Sequence, residues 1–345
     1  MLRLVDANLD RLGEGLRVLE DVSRFLLNDA VLSKRLKTLR HTLVNDLGPL
    51  ERELLSARRV AEDVGAPKAK RVASQHEDLL ALVVANSRRV QESLRVLEEF
   101  SRISGTSLSG KAAGFEAARF ELYDLEQQLA GRLLRHDKAG RLKGLYLVLD
   151  AAALEGRDEV RVAAAAIRGG CKTIQLRDKL RSKEELLTTA RKLGGLCAEK
   201  GVLFIVNDHI DIALAVNADG VHLGQDDLPL AEARRILPID MLIGCSTHSV
   251  AEAVKAQTNG ADYVAVGSIY PTTSKEKFKL VGLDTLRRAR LKVSLPLIAI
   301  GGINHSNVQG VMKAGADSVA VISAVLGADD VEKAARRLAA KMKRI

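Results

Sequence analysis

The sequence predicts an α/β protein in which an all-α helical domain with an internal duplication precedes a (β/α)8 TIM barrel. Residues 1 to about 134 show only helical spacing of apolar side chains, and one stretch of this half occurs twice. From Gly144 onward, short apolar runs alternate with amphipathic segments. Between the halves, Arg135–Lys143 is polar and basic. We therefore predict a helical domain at 1–134, a linker at 135–143 and a barrel at 144–345.

The helical prediction depends on the period of the apolar residues. They recur at three- and four-residue spacing along one face, as at Leu12, Leu16, Leu19, Val22 and Leu26. Strand-like alternation is absent from this half of the sequence. The pattern therefore favours helices that bury one apolar face.

The duplication relates segment 7–24 to segment 85–102 at an offset of 78 residues, as from Asn8 to Asn86. Polar residues are retained along with apolar ones, in the pairs Asn8/Asn86, Arg11/Arg89, Glu14/Glu92, Arg17/Arg95, Glu20/Glu98 and Arg24/Arg102. Two interpretations stay open. Either two helical hairpins pack together and carry ion pairs on solvated faces, which is common for Glu/Arg ladders, or the copies enclose a pseudo-symmetric polar cleft. In the second case, Arg17 and Arg95 would lie across the cleft and hold a phosphorylated ligand.

The second half contains eight apolar runs, at Leu145–Leu149, Thr173–Leu176, Leu203–Val206, Gly220–Leu223, Leu242–Cys245, Tyr263–Val266, Leu297–Ile300 and Ser318–Ile322. Near-continuous apolar strands that alternate with helices are typical of a parallel sheet buried on both faces. Eight units over about 200 residues match a closed barrel. An open doubly wound sheet is the alternative, but no Gly-x-Gly-x-x-Gly turn follows the first run.

Composition and charge limit the classes of partner that this protein is expected to bind. The net charge of +9 permits nucleic-acid binding, but aromatic residues make up only 3% of the chain and Trp is absent, so stacking platforms are lacking. We expect no nucleic-acid partner and attribute the charge to phosphate handling. No apolar run reaches the roughly 18–20 residues of a membrane span, and the N-terminus has no signal-peptide pattern. We expect a cytoplasmic protein with no membrane partner, whose three widely spaced cysteines are reduced and mostly buried.

Polar residues cluster where the predicted strands end, which is where such barrels place their active sites. Gln175, Arg177 and Lys179 occupy alternate positions, so they share one face of an extended segment and suit a polyphosphate. Asp208 and Asp227 are the natural ligands for Mg²⁺, although either carboxylate could instead cap a helix. Gly301-Gly302 matches the phosphate cradle after the seventh strand. These features predict displacement of pyrophosphate by a phosphorylated acceptor.

The motifs then resemble a known family. Gln-Leu-Arg-Asp-Lys (175–179), Val-Asn-Asp (206–208), His-Leu-Gly-Gln-Asp-Asp (222–227), Gly-Cys-Ser-Thr-His (244–248), Pro-Thr-Thr-Ser-Lys (271–275) and Ile-Gly-Gly-Ile-Asn (300–304) are similar to those of thiamine phosphate synthase, in that family's order. The resemblance covers residues 144–340. It implies a transferase of thiamine biosynthesis that joins 4-amino-2-methyl-5-hydroxymethylpyrimidine diphosphate to thiazole phosphate through a dissociative reaction.

The resemblance also implies roles for individual residues. Mg²⁺ would bind Asp208 and Asp227, and catalysis would depend on Arg177, Lys179, Ser246 and Lys275. The pyrimidine diphosphate would contact Gln175, Arg177, Lys179, Asn207, His222, Ser246 and Lys275. The thiazole phosphate would contact Thr272, Ser274, Gly302, Ile322 and Ser323. Ser274 stands where the family often has Thr, and the hydroxyl group is kept.

The first 134 residues resemble an extension fused to some thiamine phosphate synthases. That extension family has been linked to phosphorylation of hydroxymethylpyrimidine phosphate, which would supply the substrate of the barrel. No Gly-x-x-x-x-Gly-Lys loop occurs in this segment. A structural module for docking or oligomerisation is therefore the alternative, and a homo-oligomer is compatible with the sequence. For the barrel, a phosphate-ligand sensor or another phosphate-binding barrel enzyme would not explain the Gln175, Arg177 and Lys179 pattern beside two aspartates.

Overall fold

The computed structural model describes residues 1–45, 50–58, 76–105, 108–272 and 279–343. The chain forms two compact units, Met1–Leu134 and Arg135–Ile345. The first unit is helical, with α1 at Leu2–Asp21, α2 at Ala30–Arg40, α3 at Leu50–Ala57, α4 at Leu79–Ser101 and the start of α5, Ala112–Gly140. A side-chain oxygen of Asp29 accepts hydrogen bonds from the first turn of α2, and Asp78 does the same for α4.

Two sequence expectations about this half need correction. Residues 135–140, expected to be linker, continue α5. They are ordered by ion pairs that the local sequence does not reveal, from Arg135 to Asp262 (2.9 Å) and from Lys138 to Asp240 (2.7 Å). Leu26, expected on the buried face, is 46% exposed. It ends a π-helical turn, Val22–Leu26, whose wider spacing rotates the following residues off the apolar face.

The duplicated segments lie on α1 and α4, which pack against each other. Equivalent apolar residues of the two copies share one core, including Leu12 and Val90, and Leu16 and Leu94. The helices approach closely at Gly15, where an added Cβ would lie 2.5 Å from Cγ2 of Val90. A larger residue at this position would force the two copies apart.

Two of the retained glutamates, Glu20 and Glu98, are buried, which corrects the expectation that the charges of the repeat all lie on solvated faces. Glu98 is fully buried and contacts Arg95 (2.9 Å), Arg102 (2.7 Å) and Arg119 (3.2 Å). Its equivalent Glu20 is 3% exposed and contacts Arg40 at 3.0 Å. Breaking a buried ion pair leaves an uncompensated charge, which costs far more than losing a surface pair. These residues are therefore retained for structural reasons.

The second unit is a closed parallel barrel of eight strands in sequence order, which confirms the predicted fold class. The strands are β1 Gly144–Asp150, β2 Cys171–Arg177, β3 Leu203–Asn207, β4 Gly220–Leu223, β5 Leu242–Thr247, β6 Tyr263–Val266, β7 Leu297–Ile300 and β8 Ser318–Val321. The surrounding helices are α6 Glu159–Arg168, α7 Lys183–Lys200, α8 Ile210–Ala215, α9 Leu230–Ile236, α10 Val250–Thr258, α11 Gly282–Arg290, α12 Val308–Lys313, α13 Ser323–Leu326 and α14 Val331–Met342.

The strands are buried on both faces, which explains their near-continuous apolar sequences. One core lies between the sheet and the helices, and a second fills the barrel interior with residues such as Ile205, Leu242 and Ile298. The interior also holds Tyr146 and Tyr263, both at most 2% exposed. Gly244 makes room for the second tyrosine, because an added Cβ would lie 2.0 Å from its ring.

The three cysteines, Cys171, Cys197 and Cys245, are free thiols and buried, as predicted. Burial raises the pKa of the Cys171 thiol to about 11 and that of Cys197 to about 12, so both stay protonated at neutral pH. Over the described ranges of the chain, no helix combines the length and apolar character needed to cross a membrane.

Candidate active site

Five of the residues predicted to hold the pyrimidine diphosphate line one pocket inside the mouth of the barrel. They come from four neighbouring strands and are Gln175, Arg177, Asn207, His222 and Ser246. Because parallel strands end at the same edge, residues far apart in sequence meet here. Gln175 and Arg177 belong to β2 itself, whereas Lys179 lies beyond its end and is exposed. The pocket also includes Tyr146 and Tyr263, which sequence reasoning missed.

These tyrosines connect the predicted residues through one chain of hydrogen bonds across the barrel. Nε2 of Gln175 lies 2.7 Å from the hydroxyl of Tyr146, which lies 3.2 Å from that of Tyr263. The Tyr263 hydroxyl lies 3.1 Å from Nδ1 of His222, and Nε2 of the same ring lies 2.9 Å from Oγ of Ser246. Burial raises the pKa of both tyrosines, so they act as neutral hydroxyl groups.

A cluster of alternating charges lies at the same end of the strands. Lys179 Nζ is 3.3 Å from the carboxylate of Asp208. Burial raises the pKa of Asp208, and the neighbouring carboxyl of Asp227 raises it further. Asp208 has a φ of 62°, a left-handed conformation that a non-glycine residue adopts only where the surrounding structure imposes it. The fold therefore holds two carboxylates side by side, which is unfavourable without a cation.

Arg177 is held in place by a residue that the sequence analysis did not single out. Its guanidinium donates to the carboxylate of Asp150, which is 5% exposed and ends β1. The other oxygen of Asp150 accepts from the backbone N–H of Ala152 at 3.1 Å. Since β1 and β2 pair with Asp150 beside Arg177, the contact orients the guanidinium fork at the pocket edge.

A second pocket of about 340 Å³ adjoins the first. It contains four of the residues predicted for the thiazole phosphate, Thr272, Gly302, Ile322 and Ser323. Ser246 and Ile322 line both pockets. Gly301 and Gly302 have φ values of 99° and 63°, and a Cβ at Gly302 would lie 2.3 Å from the carbonyl oxygen of Pro271. Glycine is therefore required for this close approach of two loops.

Comparison with known proteins agrees with the arrangement of the barrel. The model of a family described as thiamine monophosphate synthase matches residues 145–325, more than half of the chain. The chain belongs to the thiamine monophosphate synthase family. A second family model, ThiD2, matches residues 3–128.

Relatives named thiamine-phosphate synthase match nearly the whole of this chain. A thiamine-phosphate synthase of Thermosynechococcus vestitus is 44% identical over 97% of this chain and 93% of the relative. One from Synechococcus sp. strain WH7803 is 42% identical over 97% of this chain and 94% of the relative. A solved thiamine phosphate pyrophosphorylase from Pyrococcus furiosus is 40% identical, with a TM-score of 0.56, and covers 60% of this chain and 98% of its own. As a family member, the protein is a transferase of thiamine biosynthesis.

Two residues predicted for the site of this family member, Ser274 and Lys275, lie outside the described residues. Lys279, just after that segment, lines the second pocket. The sequence carried one signal for the missed tyrosines. The chain has only four tyrosines, and two of them stand in the predicted first and sixth strands, where purely aliphatic residues would suffice for packing.

Proposed function

We propose that the barrel joins 4-amino-2-methyl-5-hydroxymethylpyrimidine diphosphate to 4-methyl-5-(2-phosphoethyl)thiazole, giving thiamine phosphate and pyrophosphate. The observation that carries the proposal is the pair of adjoining pockets that share Ser246 and Ile322. One pocket has cations and carboxylates at its edge, and the other has a double-glycine loop. Two phosphorylated substrates, each held by its own pocket, can then meet at the shared wall, which is what a condensation requires.

In this proposal the diphosphate lies against Arg177, Lys179 and Gln175. Arg177 offers a planar fork and Lys179 a compact charge, and both stabilise the negative charge that grows on the leaving group. The thiazole phosphate binds at the double-glycine loop, with hydroxyl donors from Thr272 and Ser323. This division places the two anions in separate pockets, so their repulsion does not oppose binding.

Asp208 and Asp227 fit Mg²⁺, because burial and the neighbouring Asp227 raise the pKa of Asp208, and such a pair of carboxylates gains most from a hard dication that takes oxygen ligands. When bound, the ion would supply further charge stabilisation to the diphosphate oxygens. The lysine beside Asp208 contributes a single charge that is exposed to solvent, so it cannot replace the dication.

The reaction is proposed to be dissociative. The bond between the pyrimidine methylene carbon and the diphosphate oxygen breaks first, and its electron pair leaves with pyrophosphate. The electron-rich aminopyrimidine delocalises the resulting cation. The thiazole nitrogen then donates its lone pair and forms the new C–N bond. No general base is needed, so the task of the protein is positioning and electrostatic stabilisation.

In the hydrogen-bond chain from Gln175 to Ser246, the donor and the acceptor of each bond can be assigned. An anionic diphosphate needs donors, which favours the orientation of Gln175 that turns its NH₂ group towards the site. The same NH₂ then donates to Tyr146, Tyr146 to Tyr263, and Tyr263 to Nδ1 of His222. The ring is therefore protonated at Nε2 and donates to Ser246. This leaves the Ser246 hydrogen available for a ring nitrogen of the pyrimidine.

Replacing Tyr263 by Phe is expected to lower kcat/KM for the pyrimidine diphosphate about tenfold, the effect of roughly 1.4 kcal/mol. The KM for thiazole phosphate should be unchanged. Nitrogen NMR of His222 should show Nε2 protonation in the wild type and a mixture in the variant. Tyr123→Phe, which removes a hydroxyl from the helical unit, is the control. Nδ1 protonation in the wild type would refute the proposed assignment of donors and acceptors.

Turnover itself is tested by mixing the full-length protein with both synthetic substrates and Mg²⁺, and detecting thiamine phosphate and pyrophosphate by mass spectrometry. We expect thiamine phosphate and pyrophosphate to form in equal amounts. Binding of the substrates without product would instead support the rival interpretation of a phosphate-ligand sensor.

For the helical unit, the ThiD2 match favours a second candidate function. We propose that this unit transfers the γ-phosphoryl group of ATP to the phosphate of hydroxymethylpyrimidine phosphate, releases ADP, and so supplies the substrate of the barrel. The rival proposal is a docking or oligomerisation module without chemistry. Formation of the pyrimidine diphosphate from its monophosphate and ATP by the full-length protein would distinguish them, since a structural module forms none.

A further inference from the structure

The helical unit contains a pocket of about 620 Å³ that is built from both copies of the repeat. Arg11 and Glu14 of α1 line it together with Arg89 and Glu92 of α4. Because the offset of the repeat is 78 residues, Arg11 is equivalent to Arg89 and Glu14 to Glu92. The pocket, which we call the two-arginine pocket, therefore receives the same pair of charges from each copy.

This arrangement corrects the sequence expectation for the cleft. Arg17 and Arg95 were expected to lie across it, but they pair with the buried Glu20 (3.9 Å) and Glu98 (2.9 Å) instead. The physical reason is helical phase. Arg11 and Glu14 are three residues apart and share a side of α1, whereas Arg17 is directed towards the carboxylate one turn later.

The repeated polar residues fall into two groups with different reasons for being retained. One group has structural contacts in both copies. Nδ2 of Asn8 donates to the carbonyl of Leu4, and Nδ2 of Asn86 donates to that of Leu82, each at 2.8 Å. The buried Glu20 and Glu98 also belong here, with Arg17 and Arg95, which pair with them. Arg102 also pairs with Glu98, whereas its equivalent Arg24 lies over the ring of Phe25.

The second group lines the two-arginine pocket and has few contacts. Within the part of the chain that the structure describes, Arg11, Glu14 and Glu92 make no ion pair or side-chain hydrogen bond, and Arg89 donates only to Asn86 Oδ1 at 3.3 Å. All four side chains are exposed, so packing does not require their identity. The adjacent exposed position is not retained, because Asp10 stands where the second copy has Arg88, and Asp10 forms a local ion pair with Arg58 at 2.8 Å.

We infer that the two-arginine pocket binds a small phosphate monoester that also carries amino or hydroxyl groups. Two guanidinium forks suit a dianionic phosphate, and two carboxylates accept hydrogen bonds from donors on the same molecule. The volume lies within the roughly 300–1,000 Å³ typical of small-molecule sites. Hydroxymethylpyrimidine phosphate carries a phosphate monoester and an amino group that can donate hydrogen bonds. We choose it as the probe, and this choice rests on the function proposed for the helical unit.

The test is calorimetric titration of the full-length protein with hydroxymethylpyrimidine phosphate, without ATP. The unphosphorylated alcohol and inorganic phosphate are titrated separately. The monophosphate should bind more tightly than either, and a double variant, Arg11→Ala with Arg89→Ala, should weaken binding by a factor of ten or more. Arg88→Ala, which removes an equally exposed arginine outside the pocket, should bind as the wild type does. Lys179→Ala, in the barrel, should also bind normally.

Three results would overturn the inference: wild-type affinity in the double variant, equal loss in Arg88→Ala, or loss only in Lys179→Ala, which would assign the ligand to the barrel. Condensation of the two barrel substrates, measured on the double variant, should be unchanged and shows that its barrel is folded, while circular dichroism reports whether the helical unit, where the substitutions lie, is folded as well. If the wild type lacks that condensation but binds the monophosphate at the two-arginine pocket, the proposed barrel function fails and the inference stands. Folding of the double variant would then be judged from its circular dichroism.

Discussion

An Asp227→Ala variant is expected to lose at least about 10²-fold in kcat, the typical effect of removing one strong electrostatic stabiliser. Asp227 is the neighbour that raises the pKa of Asp208, so the two carboxylates would share one cation. Without Asp227, the remaining carboxylate would hold Mg²⁺ weakly and the leaving group would lose charge stabilisation. Steady-state turnover at saturating substrates measures the effect.

Asp227 also has a local structural contact, which the experiment must separate from metal binding. Its Oδ2 accepts a hydrogen bond from the backbone N–H of Gly224 at 2.6 Å. Asp227→Asn keeps an acceptor for this N–H but removes the charge, so it should lose activity while the loop stays ordered. Asp226→Ala, which removes the adjacent exposed carboxylate, is the matched control and should be active.

Metal binding gives a readout that does not depend on turnover. Electron paramagnetic resonance with Mn²⁺ in place of Mg²⁺ should show binding to the wild type and to Asp226→Ala in the presence of the pyrimidine diphosphate. Binding should be much weaker in Asp227→Asn. Full turnover of Asp227→Ala in EDTA would contradict the assignment of the metal site.

The barrel could be predicted from sequence because its strands are buried on both faces. A run such as Leu203–Val206 is apolar at every position, and the observed β3, Leu203–Asn207, extends it by one residue. Clustering of polar residues at strand ends follows from the same topology, since all parallel strands point one way. The local pattern of apolar and polar residues was therefore sufficient to predict the fold and the edge of the barrel at which the site lies.

Contacts across the barrel could not be predicted in this way. Tyr146 and Tyr263 belong to strands that are not neighbours, and their hydroxyl groups meet only because the sheet closes. The partner of Arg177 was missed for a related reason, because Asp150 is brought beside it by strand pairing. A sequence pattern identifies which face a side chain occupies but not what lies opposite.

The helical half shows the same limit. The repeat in the sequence identified six retained polar pairs, but not which of them face a buried glutamate and which face a pocket. Arg17 and Arg11 look alike in sequence. Their difference arises from helical phase and from the close approach of α1 and α4 at Gly15.

Arg177 and Lys179 are proposed to hold the diphosphate. The variants Arg177→Lys and Lys179→Ala should therefore lose affinity selectively for the pyrimidine diphosphate. A lost charge-assisted hydrogen bond costs roughly 1.5–3 kcal/mol, which is about 10- to 150-fold in kcat/KM for this substrate. The KM for thiazole phosphate should change little, because its proposed site lies in the adjoining pocket at Gly302 and Ser323.

Lysine is the informative replacement at Arg177 because the buried Asp150 needs a cationic partner. Arg177→Ala would leave that carboxylate unpaired, so a loss of activity could reflect a loss of stability. Arg177→Lys keeps the charge and removes the fork, and thermal unfolding should show that its stability is close to that of the wild type. Lys183→Ala serves as the control for Lys179→Ala. Lys183 is an exposed cation four residues further along the chain that pairs with Asp211 instead of facing the site. A variant of Arg177 or Lys179 that weakened only thiazole phosphate binding would show that the two anion sites are assigned the wrong way round.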